Sequence, residues 1–216
     1  MPHVAVVIGG GALDPAVAST LPDGIVVIAA DGGLDHAVEA GLTPTVLVGD
    51  LDSITAAGRM WAYEHGVHIE QHDPDKDCTD TELALRTALA VPDAGNLIVL
   101  GGGDRDDHRP DHFLGTLLAL GHPDLAAFGA VTAQLGGSWF NVVHPGRPIS
   151  LPIGAGRTFS VLALHGPASG VTVEGAKWEL HDADLSPTAA LGVSNETKED
   201  MVKVSTVSGV VTVVVP

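Results

Sequence analysis

The feature that most constrains this chain is a recurring unit: a short apolar run, a polar or glycine-rich break, then a helix-like stretch. Residues 4–8, 25–29, 46–48, 67–69 and 96–100 read as buried strands. Helical patterns fall near residues 14–21, 34–40, 55–65 and 79–90, with another at 111–120. Fully apolar strands alternating with helices imply a parallel sheet covered by helices on both faces. In such sheets ligands bind beyond the carboxyl ends of the strands. Polar clusters stand at those positions. Gly9-Gly10-Gly11 follows the first run, Asp31-Gly32-Gly33 the second, Asp50-Leu51-Asp52-Ser53 the third and Gly101-Gly102-Gly103-Asp104 the fifth. The triple glycines admit a phosphate or serve as turns. They complete neither a GxGxxG pattern nor a P-loop.

From about Gly136 helical periodicity gives way to short β-rich runs at 138–143, 158–164, 171–174, 201–207 and 210–215, punctuated by Gly and Pro. This predicts a small antiparallel sandwich or barrel. The expected fold class is therefore α/β, with a parallel-sheet domain over 1–136 followed by a β-rich domain over 137–216. Residues 126–133 are expected as a last strand of the first domain.

The formal net charge of -17, with 10 basic residues against 27 acidic ones, argues against nucleic acid or an anionic membrane as partner. A polyphosphate ligand would need metal ions, backbone N–H groups and a few well-placed cations around it. With only four lysines, Lys76, Lys177, Lys198 and Lys203, the position of each is informative. The single cysteine, Cys78, rules out an internal disulfide and suits a reducing compartment. No secretory signal opens the chain, and no apolar run is long enough to span a bilayer. A cytoplasmic globular protein is expected.

Three stretches carry candidate chemistry. In the first, Asp50 and Asp52 flank Leu51 at a strand end. On an extended backbone residues i and i+2 point the same way, so both carboxylates can converge on a divalent cation such as Mg²⁺. The alternative is an Asx-rich turn with Ser53 as N-cap of the next helix. In the second, Thr79 and Glu82 have capping-box spacing, which sets Asp80 in the first turn of a helix. Lys76 stands among neighbouring carboxylates, either as a point charge for phosphate or within a solvated charge run. The third runs from Arg105 to His112, where Asp111 can cap a helix and Pro110 fits the preceding turn. His108 and His112 have i, i+4 zinc spacing, which Pro110 between them disfavours. His65, His68 and His72 read as surface strand and loop without chemistry.

Three of these segments, Gly49-Asp50-Leu51-Asp52-Ser53, Lys76-Asp77-Cys78-Thr79-Asp80 and Arg109-Pro110-Asp111-His112-Phe113-Leu114, resemble the GDxDS, KDxTD and RxDHxL signatures of thiamine pyrophosphokinases. Ala30-Asp31-Gly32-Gly33, Gly175-Ala176-Lys177-Trp178-Glu179-Leu180 and Val193-Ser194-Asn195-Glu196 extend the resemblance over nearly the whole chain. The resemblance implies transfer of the pyrophosphoryl group of ATP to the hydroxyethyl oxygen of thiamine, giving thiamine diphosphate and AMP. It implies Asp50, Asp52 and Asp80 as Mg²⁺-holding, catalytic carboxylates. Asp31, Gly32, Ser53, Lys76, Asp77, Thr79, Arg109, Asp111 and His112 would form the ATP site. Trp178, Ser194 and Asn195 would meet thiamine, in a homodimer whose active site lies at the subunit interface.

An indole face suits a cationic thiazolium, although without the resemblance Trp178 reads as a sandwich core residue and Ser194-Asn195 as a turn. The chain departs from the family pattern where Asp104 to His108 intervene before Arg109, and this repeat permits a second alignment through Arg105, Asp107 and His108. Thr116 stands where the family often carries asparagine. Competing functions are a metal-dependent phosphohydrolase, a pyrophosphokinase acting on a hydroxymethyl pterin, and a binding module without turnover.

Overall fold

A computed structural model describes residues 1–102 and 109–216. The first half of the Arg105–His112 repeat, the alternative alignment through Arg105, Asp107 and His108, and the His108 half of the zinc reading lie outside the described residues. The chain divides into two units, Met1–Ala119 with Gln134–Gly136, and Leu120–Ala133 with Gly137–Pro216.

In the first unit five parallel strands, β1 (Val4–Val7), β2 (Val26–Ala30), β3 (Val46–Gly49), β4 (His68–Gln71) and β5 (Leu97–Leu100), pair in the order β5-β1-β2-β3-β4. Val4, Ala5, Val6 and Val7 are all fully buried, which only a sheet covered on both faces allows. The helices are α1 (Pro15–Ala18), α2 (Gly33–Glu39), α3 (Ala56–Glu64), α4 (Asp80–Leu89) and α5 (Pro110–Ala119). One face of the sheet packs Ala5, Val7 and Val27 with Leu13, Ala18 and Ala37; further along, Ala29 and Leu47 meet Leu34, Ile54 and Ala62. The helix α4 crosses β1, β2 and β3.

Four local expectations need correction. The first helix covers only Pro15–Ala18 rather than 14–21. The hydroxyls of Ser19 and Thr20 turn back onto the carbonyls of Ala16 and Val17, both at 2.7 Å, and Pro22 follows. The cap of α3 is Thr55, whose Oγ1 accepts the Gly58 N–H at 2.9 Å, and not Ser53. Asp111 lies inside the first turn of α5, which begins at Pro110, instead of capping it. Residues 126–133 are not one strand, because a 3-10 turn over Pro123–Ala127 precedes β6 (Val131–Leu135). The capping box of α4 does form, with Thr79 and Glu82 satisfying each other's backbone.

The second unit holds β7 (Ser138–Val143), β8 (Ile149–Leu151), β9 (Thr158–Leu162), β10 (Ala168–Glu174), β11 (Leu180–Leu185), β12 (Asn195–Glu196), β13 (Val202–Ser205) and β14 (Val211–Val215). They pair antiparallel as β12-β9-β14-β7 and as β11-β10-β13-β8. Val143, Phe159, Val161, Val211 and Val213 of one sheet meet Val171, Val173, Val202 and Val204 of the other in a single apolar core. No helix among the described residues is long and apolar enough to cross a membrane.

Candidate functional site

The site grows from two places where the backbone lacks side-chain bulk. A β-carbon on Gly33, the first residue of α2, would lie 2.1 Å from the Val7 carbonyl oxygen, so only glycine lets α2 start against the end of β1. A β-carbon on Gly49 would lie 3.1 Å from both Asp31 Cβ and Asp80 Oδ1, at φ +147. Glycine at the end of β3 therefore leaves room for two acidic side chains from other segments.

Beyond Gly49 the backbone is not extended. Leu51 sits at φ +69, its carbonyl accepts a 2.6 Å hydrogen bond from Arg59 Nη2, and the Asp52 N–H reaches Asp50 Oδ1 at 3.3 Å. Asp50 and Asp52 therefore sit on a turn held by Arg59 and not on the extended i, i+2 backbone that their spacing suggests. The carboxylates still meet: Asp31, Asp50 and Asp52 each offer an oxygen, all within 4.8 Å of one another. Asp80 faces Lys76, whose Nζ lies 3.1 Å from Asp80 Oδ1 and 3.1 Å from Asp50 Oδ2. Asp31, expected only among nucleotide-binding residues, thus stands in the oxygen cluster, while Asp80 flanks it.

The electrostatics follow from this crowding. Burial pushes the Asp31 carboxyl above its usual range; a hydrogen bond from Ser53 opposes the shift, and the charges of Asp80, Asp50 and Asp52 reinforce it. Asp31 Oδ1 is buried and meets no hydrogen-bond donor among the described residues. Burial would also raise Asp50, but hydrogen bonds from Lys76 and the Asp52 backbone, with the lysine charge, leave it below its ordinary value. Burial would lower Lys76, and contacts with Asp80 and Asp50 outweigh it, so its ammonium holds its proton more firmly than usual. A cluster of hard carboxylate oxygens with one buried, unmatched acceptor is a donor set that fits a small divalent cation such as Mg²⁺.

These groups open into a cavity of about 720 Å³ within the first unit. Its wall includes Asp31, Gly32, Asp50, Asp52, Ser53, Lys76, Thr79, Asp80, Arg109 and His112 of the predicted residues. Asp77 and Asp111 are not on that wall. Asp77 is exposed, and Asp111 pairs with Arg109 Nη2 at 2.9 Å, which holds its carboxyl down at about 2. Arg109 also meets His112 Nε2. Sequence reasoning missed Asp35, His36 and Glu39 on the wall. They fall three, four and seven positions after Gly32, a helix-face spacing that could have found them. Asp35 has a structural task as well, accepting the Thr55 N–H at 2.8 Å and its hydroxyl at 2.7 Å.

Of the residues expected to meet thiamine, the second unit brings Trp178 and Asn195 together. Asn195 is buried, and its Oδ1 accepts the N–H of Trp178 (3.2 Å) and of Glu196 (2.8 Å), while its Nδ2 donates to the Trp178 carbonyl (2.8 Å). Trp178 itself is 56% exposed, so it is not the core residue its type alone suggests. Ser194 is exposed at φ +57, and its N–H donates to Ser160 Oγ at 3.0 Å.

A doubly covered parallel sheet with an acidic cluster at its strand ends and a half-buried lysine beside it, joined in sequence to an antiparallel sandwich, defines a two-part protein with a cation-ready ligand cavity. Comparison with known proteins gives that class a family. Residues 18–127 match the model described as thiamin pyrophosphokinase, catalytic domain, and residues 148–211 match thiamin pyrophosphokinase, vitamin B1 binding domain. The chain belongs to the thiamin pyrophosphokinase family. A thiamine pyrophosphokinase of Bacillus subtilis is 35% identical over 94 residues, a stretch spanning 43% of this chain and 42% of that protein. The crystal structure of the Bacillus subtilis enzyme superposes with a TM-score of 0.78 at 23% identity, covering 99% of this chain and 98% of that one. A family protein from Enterococcus faecalis gives 0.76 at 25% identity, covering 99% and 98%. Thiamin pyrophosphokinase from Candida albicans gives 0.76 at 13%, covering 99% and 89%, a likeness of fold alone.

Proposed function

We propose that this chain is a thiamine diphosphokinase, transferring the pyrophosphoryl group of ATP to thiamine. The thiamine hydroxyethyl oxygen attacks the β-phosphorus of ATP, the bond from that phosphorus to the bridging α–β oxygen breaks, and AMP leaves. The alcohol proton passes to a carboxylate oxygen of the cluster. Residues 1–136 carry ATP and Mg²⁺, and residues 137–216 carry the thiamine and dimer contacts.

The observation that carries the reading is the convergence of Asp31, Asp50 and Asp52, with a buried acceptor on Asp31 left unmatched. Asp50 and Asp52 would hold Mg²⁺, with Asp31 and Asp80 beside them; when bound, the ion neutralises phosphate charge and orients the chain of phosphates. The chain's own residues do the rest. Lys76 sits between Asp50 and Asp80 as a fixed positive point for a phosphate oxygen. Ser53, Thr79 and Gly32 border the cavity where the nucleotide lies, with Arg109 and His112 at its rim and Asp111 orienting Arg109. Asp77, exposed beside Lys76, contributes charge from outside the wall. Phosphoryl transfer needs little covalent help, so positioning and charge neutralisation by these groups account for most of the catalysis. Trp178 offers an aromatic face to the thiazolium, Asn195 fixes its loop, and Ser194, next to Asn195 in the chain, would meet the substrate. The working enzyme is a cytoplasmic homodimer that completes its site from both copies.

The test is an assay for AMP formed from ATP, with and without thiamine and with and without Mg²⁺, alongside molar-mass measurement of the oligomer. Thiamine-dependent, Mg²⁺-dependent AMP is the expected result. AMP released equally without thiamine, or phosphate released from simple phosphoesters, would remove the assignment.

A further inference from the structure

Trp178 is an unusual exposed aromatic because everything beneath its ring is fixed. Both backbone groups of Trp178 are held by the Asn195 amide. The preceding residue donates its N–H to the Glu196 carbonyl at 2.8 Å, and Ala176 bridges to Thr197. Gly175, at φ +80, turns the chain where a β-carbon would lie 2.2 Å from the Met201 carbonyl oxygen. The indole is thus presented on a rigid mount with more than half its surface free.

Its ring already carries a cation. Lys177 Nζ lies 4.8 Å from the Trp178 ring centroid, and the same ammonium is 3.5 Å from Glu196 Oε2. An indole face holding one full positive charge disfavours a second one nearby, because the two charges repel and share one quadrupole. We infer that Lys177 is a built-in competitor: its ammonium occupies the Trp178 face, and a thiazolium or other quaternary-type cation binds by displacing it. Lys177 is thereby a specificity-determining residue, setting how strongly a cation must bind to be accepted. Glu196 makes the displacement inexpensive, since the ammonium keeps its carboxylate partner when it leaves the ring. Neutral aromatic or aliphatic ligands offer the ring no charge and do not recover the cation–π attraction lost with the ammonium. The inference rests on the assignment of Trp178 to a cationic substrate.

The experiment uses the full chain labelled with ¹⁵N and the small cation 3,4-dimethylthiazolium, with no ATP present. The indole N–H signal of Trp178 is identified by its loss in Trp178→Phe and followed through a titration. In Lys177→Gln the apparent Kd for the cation falls about two- to five-fold relative to wild type, the range expected for removing an exposed cation–π competitor. Lys177→Arg, which keeps a cation beside the ring, shows no such tightening. Lys203→Gln removes the same charge from an exposed ion pair with Glu174 in the same unit and leaves the Kd unchanged. Equal tightening in Lys177→Gln and Lys203→Gln would reduce the effect to net charge and overturn the inference. So would unchanged or weaker binding in Lys177→Gln, or a Trp178 signal that the cation never moves. The AMP assay separates the two readings: a capped indole with no thiamine-dependent AMP retires the reaction and leaves the competitor standing.

Discussion

At the ends of β2 and β3, and at the start of α4, four aspartates gather, two of them paired with Lys76, and a buried oxygen of Asp31 is left without a donor. Around Trp178 a single asparagine makes three hydrogen bonds to backbone groups, two through Oδ1 and one through Nδ2. The first region is polar and electrostatically unfinished, while the second is polar and complete. Unmatched acceptors are what a cation can exploit, at a cost to the empty fold. An amide engaged at both its oxygen and its nitrogen, by contrast, contributes stability and lets a large apolar ring stay outside. The two regions teach that binding groups in this chain come either from frustration kept in place by glycines or from a mount tied down by one buried asparagine.

The sharpest way to break this contrast is Asp52→Asn. Thiamine-dependent AMP formation should drop by about 10²–10³-fold, the range for removing one group that stabilises developing charge. The metal-free thermal midpoint should hold or rise, because a mutual repulsion is removed; a fall in the midpoint would mean the cluster is not frustrated. Next in size is Asn195→Ala, which strands two N–H groups and a carbonyl and should cost about 1–3 kcal/mol in urea unfolding. Gly49→Ala belongs in the same range of about 1–3 kcal/mol, since it strains a φ of +147 and crowds Asp31 and Asp80. Unlike Asn195→Ala, it should also weaken Mg²⁺-dependent stabilisation, read as the shift in midpoint on adding the ion.

A smaller effect is expected from His144, buried in the second unit. Burial lowers its pKa, the His122 carbonyl opposes this, and the charge of Arg147 adds to it. A histidine depressed in the fold is neutral there while the unfolded chain takes a proton below about 6.5. Its contribution is therefore intact above that pH and is lost as pH falls toward the folded value. His144→Phe should flatten stability against pH between neutral and mildly acidic conditions, measured by denaturant unfolding at a series of pH values. The smallest effect is Arg109→Met. The Asp111 carboxyl, held at about 2 by the guanidinium, should return toward the ordinary carboxylate range, followed by NMR. Stability at neutral pH should scarcely change, because the pair is exposed.

Much of the first unit was legible because full burial leaves a strong trace. Val4 to Val7 cannot be a half-exposed strand, and Thr79 with Glu82 announces a helix start without reference to the rest of the fold. What failed to show was short or polar. The first helix stops early because Ser19 and Thr20 compete for its carbonyls, a local choice that apolar spacing does not report. Strand β11, Leu180-His181-Asp182-Ala183-Asp184-Leu185, pairs among the described residues only with β10 and is mostly exposed, so it lacks an apolar signature. At the site, the acidic residues were visible but their grouping was not. Spacing placed Asp50 and Asp52 on an extended chain, whereas a left-handed Leu51 and the Arg59 strap turn the segment. That Asp31 rather than Asp80 joins their oxygens depends on the ends of β2 and β3 lying side by side, which no single window contains.

The want of a side chain at Gly33 and Gly49 reaches further than either residue. Grafting the acidic sequence motifs onto another parallel sheet would copy the letters without the cluster, because the carboxylates converge only where α2 starts against the β1 backbone and where two acidic side chains lie against bare main chain at Gly49. The portable unit is the room left by two missing side chains, and any designer borrowing this cation pocket would have to transplant its emptiest positions first.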